Sequence, residues 1–173
     1  MFAIPERRRG CWSNGGFVFV RNMIALLGAK NTRDFLGYHR ITASSSFDDA
    51  IDGLRLMRGL REYVIIPGHS FYGKRCEIRI SSIVAFARRR MMVRPSFEDA
   101  LCARVLISDS NIVEFGFYFG GVYILHKPVG GNISLMKYDG HYPTLEAVRV
   151  SVNTKLPLSK HWGYLFKCPA SGS

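Results

Sequence analysis

Strand-like and helix-like signals are interleaved along this chain without a regular strand–helix–strand rhythm, and that irregularity most limits what it can fold into. Residues 61–66 are β-rich and stop at Pro67-Gly68. Cys76, Ile78 and Ile80 alternate with Glu77, Arg79 and Ser81, the period of two expected of a half-buried strand. Residues 112–119 and 122–126 flank Gly120-Gly121, which reads as a tight hairpin turn, and residues 132–137 and 162–167 supply two more strands. Three segments begin with a hydroxyl residue able to cap a helix: Ser46-Phe47-Asp48-Asp49-Ala50-Ile51, Ser96-Phe97-Glu98-Asp99-Ala100-Leu101 and Thr144-Leu145-Glu146-Ala147-Val148. In the first two an acid follows three positions later, as in a capping box, and acids in a first turn suit the helix dipole. Phe47, Ile51 and Leu54 then fall at helical spacing, which predicts an amphipathic helix over residues 47–60; the other two are short enough to be single turns. Their flanks do not match, so the recurrence reads as one capping solution reused.

These signals predict a single α+β domain over residues 17–168, with a largely antiparallel sheet packed against one clear helix and one or two short ones. Residues 1–16 read as a flexible basic tail and residues 169–173 as a flexible C-terminus. The chain's 173 residues, 47% hydrophobic and 21% charged, suffice for a real core and argue against disorder as the main state.

Charge is the unusual quantity. Lys and Arg number 24 against 13 Asp and Glu, a formal +11, which predicts long-range attraction to nucleic acid, acidic lipid or acidic protein. Most of it is arginine, whose planar fork fits phosphate oxygens. The four cysteines, Cys11, Cys76, Cys102 and Cys168, are scattered and read as reduced thiols of a cytosolic or nuclear setting. The five histidines show no metal-ligand spacing. Residues 7–29 resemble a signal peptide in outline, but Arg21 and Asn22 interrupt the apolar run, which is also too short to span a bilayer. A buried strand or helix start, able to touch a membrane surface, is the better reading.

Gly68-His69-Ser70-Phe71-Tyr72-Gly73-Lys74 fits G-x-x-x-x-G-K after a strand. Arg75 stands where a phosphate loop needs a hydroxyl for magnesium, and a strand follows where a helix N-terminus should supply amide donors. A basic loop between two strands fits better. G-x-S-x-G is absent and no histidine is patterned with a cysteine, so the expectation is a protein that is not an enzyme and uses no cofactor or metal.

The basic clusters are Arg7, Arg8 and Arg9 in the tail; Arg55, Arg58 and Arg61, which would share a helical side; Lys74, Arg75 and Arg79; and Arg88, Arg89, Arg90 and Arg94. Merged into one face, they would bind phosphates with little base readout, since no RNA-recognition strand with interleaved aromatics is evident. Core packing is the default explanation for the aromatics at 115, 117–119 and 123.

From Tyr38 through Val84, a strand, the Ser46-Phe47-Asp48-Asp49-Ala50 cap, a helix, Tyr63, and a Gly-containing loop with Phe71-Tyr72 before Lys74 follow one another. That order resembles the central part of rhabdovirus matrix proteins, and the small basic chain resembles those of the plant-infecting members. The resemblance implies a structural protein that condenses ribonucleoprotein, self-associates, contacts the inner leaflet of an envelope and enters the nucleus. The chain departs from animal-virus members in lacking P-P-x-Y and P-[ST]-A-P motifs.

The expectation is therefore a matrix-type virion protein of host cytoplasm and nucleus that binds nucleoprotein–RNA and acidic membrane and forms homo-oligomers. Phe17, Phe19, Phe71 and Tyr72 are its candidate membrane or self-association residues. A soluble, non-enzymatic nucleic-acid-binding protein of movement or silencing-suppressor type is the alternative.

Overall fold

The computed structural model describes residues 17–71 and 76–168. The predicted tail with Arg7, Arg8 and Arg9, the loop residues Tyr72, Lys74 and Arg75, and the C-terminal residues 169–173 lie outside the described residues.

Long apolar runs dictate the centre of the molecule. A seven-stranded sheet has the order β1 (Val18–Ile24), β3 (Gly59–Pro67), β9 (Trp162–Lys167), β5 (Gly121–Val129), β6 (Asn132–Lys137), β7 (Thr144–Arg149) and β2 (Thr42–Ala43). Neighbours pair antiparallel, except that β9 runs parallel to β5 and β2 parallel to β7. The fold is α+β, as expected. Both faces of the sheet are covered, which explains why β3, β5 and β9 read as nearly continuous apolar runs and not as clean alternations.

Alternation divides the side chains between two cores. Tyr63, Ile65, Val122, Ile124 and Leu165 point to a helical face built from α1 (Thr32–Tyr38), α2 (Asp48–Asp52), α4 (Phe97–Leu106) and α5 (Asp109–Glu114). Val64, Ile66, Tyr123, Leu125, Tyr164 and Phe166 point to the other, ribbon face. That face is covered by α3 (Ile80–Arg89) and a two-stranded ribbon of β4 (Glu77–Arg79) and β8 (Lys155–Pro157).

The three capping patterns have three outcomes. Ser96 makes a true capping box: its hydroxyl accepts from the Asp99 amide (3.2 Å) while the Asp99 carboxylate accepts from the Ser96 amide (2.8 Å). Ala100, Leu101 and Ala103, good helix formers, then carry α4 through ten residues. The helix expected over residues 47–60 is instead a 3₁₀ turn at Ser45–Phe47 and the five residues of α2, ended by Gly53. Residues 54–58 form no helix and lead into β3, so Arg55, Arg58 and Arg61 share no helical side. The Thr144 segment is no helix at all; its β-branched and alternating residues make β7.

Two further expectations are corrected. Residues 112–119 are not a strand, because Ser108 and Asn111 form a second capping box that starts α5. Gly120-Gly121 is accordingly not a hairpin turn. Its glycines permit close approach: a Cβ on Gly120 would overlap the His161 carbonyl and one on Gly121 the Met136 carbonyl. The tight hairpin lies at Gly130-Gly131, where φ values of 56° and 78° join β5 to β6 in the mirror-image turn that glycine favours. The strand expected at Cys76–Ser81 is only three residues long, since Ile80, Ile83, Val84 and Ala87 turn helical as α3. Val18–Ile24 form a buried-faced edge strand, one of the two expected forms.

Candidate polyanion-binding surface

The covering layers of the two faces differ in charge. On the ribbon face, residues 76–94 and 150–161 carry Arg79, Arg88, Arg89, Arg90, Arg94, Lys155 and Lys160 against the single acid Glu77. The β4–β8 register sets Arg79 directly opposite Lys155, both exposed. Like charges so placed repel each other by roughly 0.2–1 kcal/mol, so the sheet gains nothing from them. Arg88 and Arg89 end α3, where the helix dipole favours cations, and both are exposed. The same exposed side of α3 carries only Ser81, Ser82 and Ala85, which leaves the approach to those guanidinium groups uncluttered. Arg90 lies 3.6 Å over the Phe86 ring, a cation–π contact that holds its charge at the surface. Among the described residues, Arg79, Arg88, Arg89, Lys155 and Lys160 have no ion-pair partner.

The helical face keeps its charges busy. Arg33 pairs with Asp52 and with Asp48 (3.3 Å), and these carboxylates raise its pKa. Arg104 is fully buried and donates to the Thr144 carbonyl (2.8 Å), to the Ile107 carbonyl and to Asp109. Asp99, also buried, accepts from the Tyr63 hydroxyl (3.0 Å) and lies 3.4 Å from the Lys167 ammonium. Burial, together with Asp99, pushes the Tyr63 hydroxyl up. Cys102 on the same helix is pushed up to about 12 by burial, so its thiol stays protonated.

Two of the predicted basic residues are occupied within this fabric. Arg61 is largely buried and pairs with Glu98, with Asp99 at 3.8 Å. Arg94 donates to the carbonyls of Leu125 (2.6 Å) and His126 (3.1 Å), beside an irregularity in the β5–β6 pairing, and burial lowers its pKa. Both therefore serve the fold and leave the candidate surface. Arg55 and Arg58 are exposed but stand on the α2–β3 connection, away from the ribbon. The candidate apolar contacts also turn inward. Phe17 and Phe71 are buried in the ribbon-face core and Phe19 is partly buried against it, with Phe71 packed on Phe86 and Tyr164.

Sequence reading missed Lys155 and Lys160, which stand singly, outside any run of Lys or Arg, and it missed an exposed aromatic cluster. Phe117 and Tyr123 are core, but Tyr118 (48% exposed) and Phe119 (79%) are not. Their rings lie 4.9 Å apart, Tyr118 meets Tyr138 at 5.1 Å, and Phe119 meets His161 at 5.4 Å. Among the described residues, no grouping of His, Cys, Asp and Glu could hold a metal, and no helix is long and apolar enough to cross a membrane. Comparison with family models, with curated proteins and with solved structures found no match to this chain.

Proposed function

We propose that this chain is a viral structural protein of matrix type, which condenses ribonucleoprotein and contacts acidic membrane through the basic ribbon face and self-associates. The observation that carries this reading is the pair Arg79 and Lys155, cross-strand neighbours with no acid between them, continued by Arg88 and Arg89. A repulsion that the fold does not use is relieved by phosphate oxygens, and arginine can meet each phosphate with two parallel hydrogen bonds. RNA and acidic headgroups offer the same chemistry, the latter at about 1 kcal/mol per basic side chain near the surface. No catalytic group takes part.

The inward packing of Phe17 and Phe71 favours a second reading, a soluble nucleic-acid-binding protein, because two of the expected apolar membrane contacts are taken up by the core. Co-flotation with liposomes, with and without acidic lipid, beside RNA binding at rising salt, separates the two. Matrix function predicts salt-sensitive binding to both RNA and acidic vesicles. RNA binding without flotation selects the soluble protein, and failure of both removes the polyanion reading.

A further inference from the structure

Tyr138 lines a cavity of about 400 Å³ and also meets Tyr118, which in turn meets Phe119. The cavity is also lined by His39, Arg104, Ser108, Asp109 and His141. Its chemistry is unusual for so basic a protein. Arg104, the cation in its wall, has its three guanidinium nitrogens donating to Thr144, Ile107 and Asp109, so its charge is already answered. An anion would find no free Lys or Arg among the lining residues, where Arg104 and Asp109 answer each other. The Ser108 hydroxyl is taken up by its capping box with Asn111, so a neutral ring with a polar edge would meet the Ser110 hydroxyl and two imidazoles; burial lowers the pKa of His39, which keeps that ring neutral and able both to donate and to accept. An exposed cation, Arg40, stands between His39 and Ile41, two residues of the lining, and its φ of 56° is a left-handed conformation seldom held by a non-glycine residue.

Aromatic faces beside a cavity roomy enough for a base and with its one Arg–Asp pair mutually satisfied, next in sequence to an exposed arginine, are the parts that an unstacked nucleotide requires. We infer that the cavity receives an unpaired base of single-stranded RNA against Tyr138, that Tyr118 and Phe119 stack the adjoining base, and that Arg40 holds the phosphate beside them. The inference rests on the polyanion reading for the class of its partner, and adds that single strands are preferred to duplex. Lys160, one residue before the His161 that packs on Phe119, lies in the short β8–β9 connection that follows Lys155, the residue opposite Arg79.

The test is fluorescence anisotropy of the full chain with a short oligouridylate, an abasic ribose-phosphate strand of equal length, and a blunt RNA duplex. The wild type should prefer the oligouridylate over the abasic strand by about tenfold for each stacked base. Phe119→Ala combined with Tyr138→Ala should erase that preference and leave binding of the other two probes unchanged. Phe119→Ser alone, at the most exposed ring, should remove part of it, and Tyr138→Phe should keep it. Equal binding of oligouridylate and abasic strand by the wild type overturns the inference while the polyanion reading stands. Loss of acidic-liposome flotation in the double variant, with RNA preference intact, overturns it in favour of a lipid surface. Failure of all three probes to bind overturns both.

Discussion

The helical and ribbon faces of the sheet start from the same strands and treat charge in opposite ways. On the helical face Arg33, Arg61 and Arg104 each meet a carboxylate, and Asp99 accepts from Tyr63 and from the amide and hydroxyl of Ser96 beside the Lys167 ammonium. On the ribbon face Arg79 is set against Lys155 and the α3 terminus adds Arg88 and Arg89 without an acid. Charges of the first kind hold elements together, and for the buried Arg104 and Asp99 removing one partner leaves the other stranded in a poorly solvated site. Charges of the second kind cost the fold a little and are available to something else. A net charge of +11 is thus a poor guide to binding until the arginines are sorted by what they already touch.

Several substitutions would break or sharpen that contrast. Asp99→Ala should have the largest effect, a loss of about 3–5 kcal/mol in denaturant unfolding, since Tyr63, Ser96 and Lys167 all lose their acceptor. Whatever remains folded should keep its RNA affinity. Joint replacement of Arg79, Arg88 and Arg89 by Glu should do the reverse, weakening RNA binding by about 100-fold at moderate salt with stability nearly unchanged. Replacing Arg55 and Arg58 by Glu should weaken it several-fold less.

His126 gives the helical side a pH signature. Its ring is fully buried, its Nδ1 is 2.6 Å from the Lys127 carbonyl and its Nε2 is 2.8 Å from the Ser134 hydroxyl. Burial, with help from Arg94, holds its pKa below the ordinary 6.5, so the unfolded chain takes up a proton that the folded ring refuses. Stability should therefore fall as pH drops below about 6.5, by up to roughly 1.4 kcal/mol per pH unit until the folded ring itself titrates. Chemical denaturation across that window should show the slope, and His126→Gln should lose it. The smallest effect is the most diagnostic. Lys155→Glu should stabilise the protein by about 0.5 kcal/mol, by placing opposite charges across β4–β8, while weakening RNA binding. A Lys155→Glu protein that is less stable would mean that the ribbon's like charges are not in conflict.

The fold was legible where one physical signal stood alone. Strands β6 and β9 and most of β3 and β5 are apolar runs, and the Ser96–Asp99 box marked the start of α4, though its ten residues exceed the single turn expected there. Legibility failed where two signals overlapped. The alternation through Cys76, Ile78 and Ile80 runs straight into the helical spacing of Ile80, Ile83 and Ala87, so α3 was hidden inside a strand. The box that starts α5 uses Asn111 in place of an acid, and a β-rich run follows it. At the candidate site the basic clusters could be read by count, but their commitments could not. That Arg61 meets Glu98, that Arg79 faces Lys155, and that Tyr118 meets Tyr138 are products of register between segments distant in sequence.

The central claim is that the ribbon face, and not the charge as a whole, binds polyanions. It is tested most directly by the slope of log affinity for RNA against log salt, measured for the wild type and for the Arg79, Arg88 and Arg89 to Glu variant. Each phosphate contact contributes about 0.9 to that slope on duplex and about 0.7 on a single strand, so the account predicts a variant slope shallower by about two to three. An unchanged slope and affinity would contradict it, and would assign the binding to charges elsewhere on the molecule.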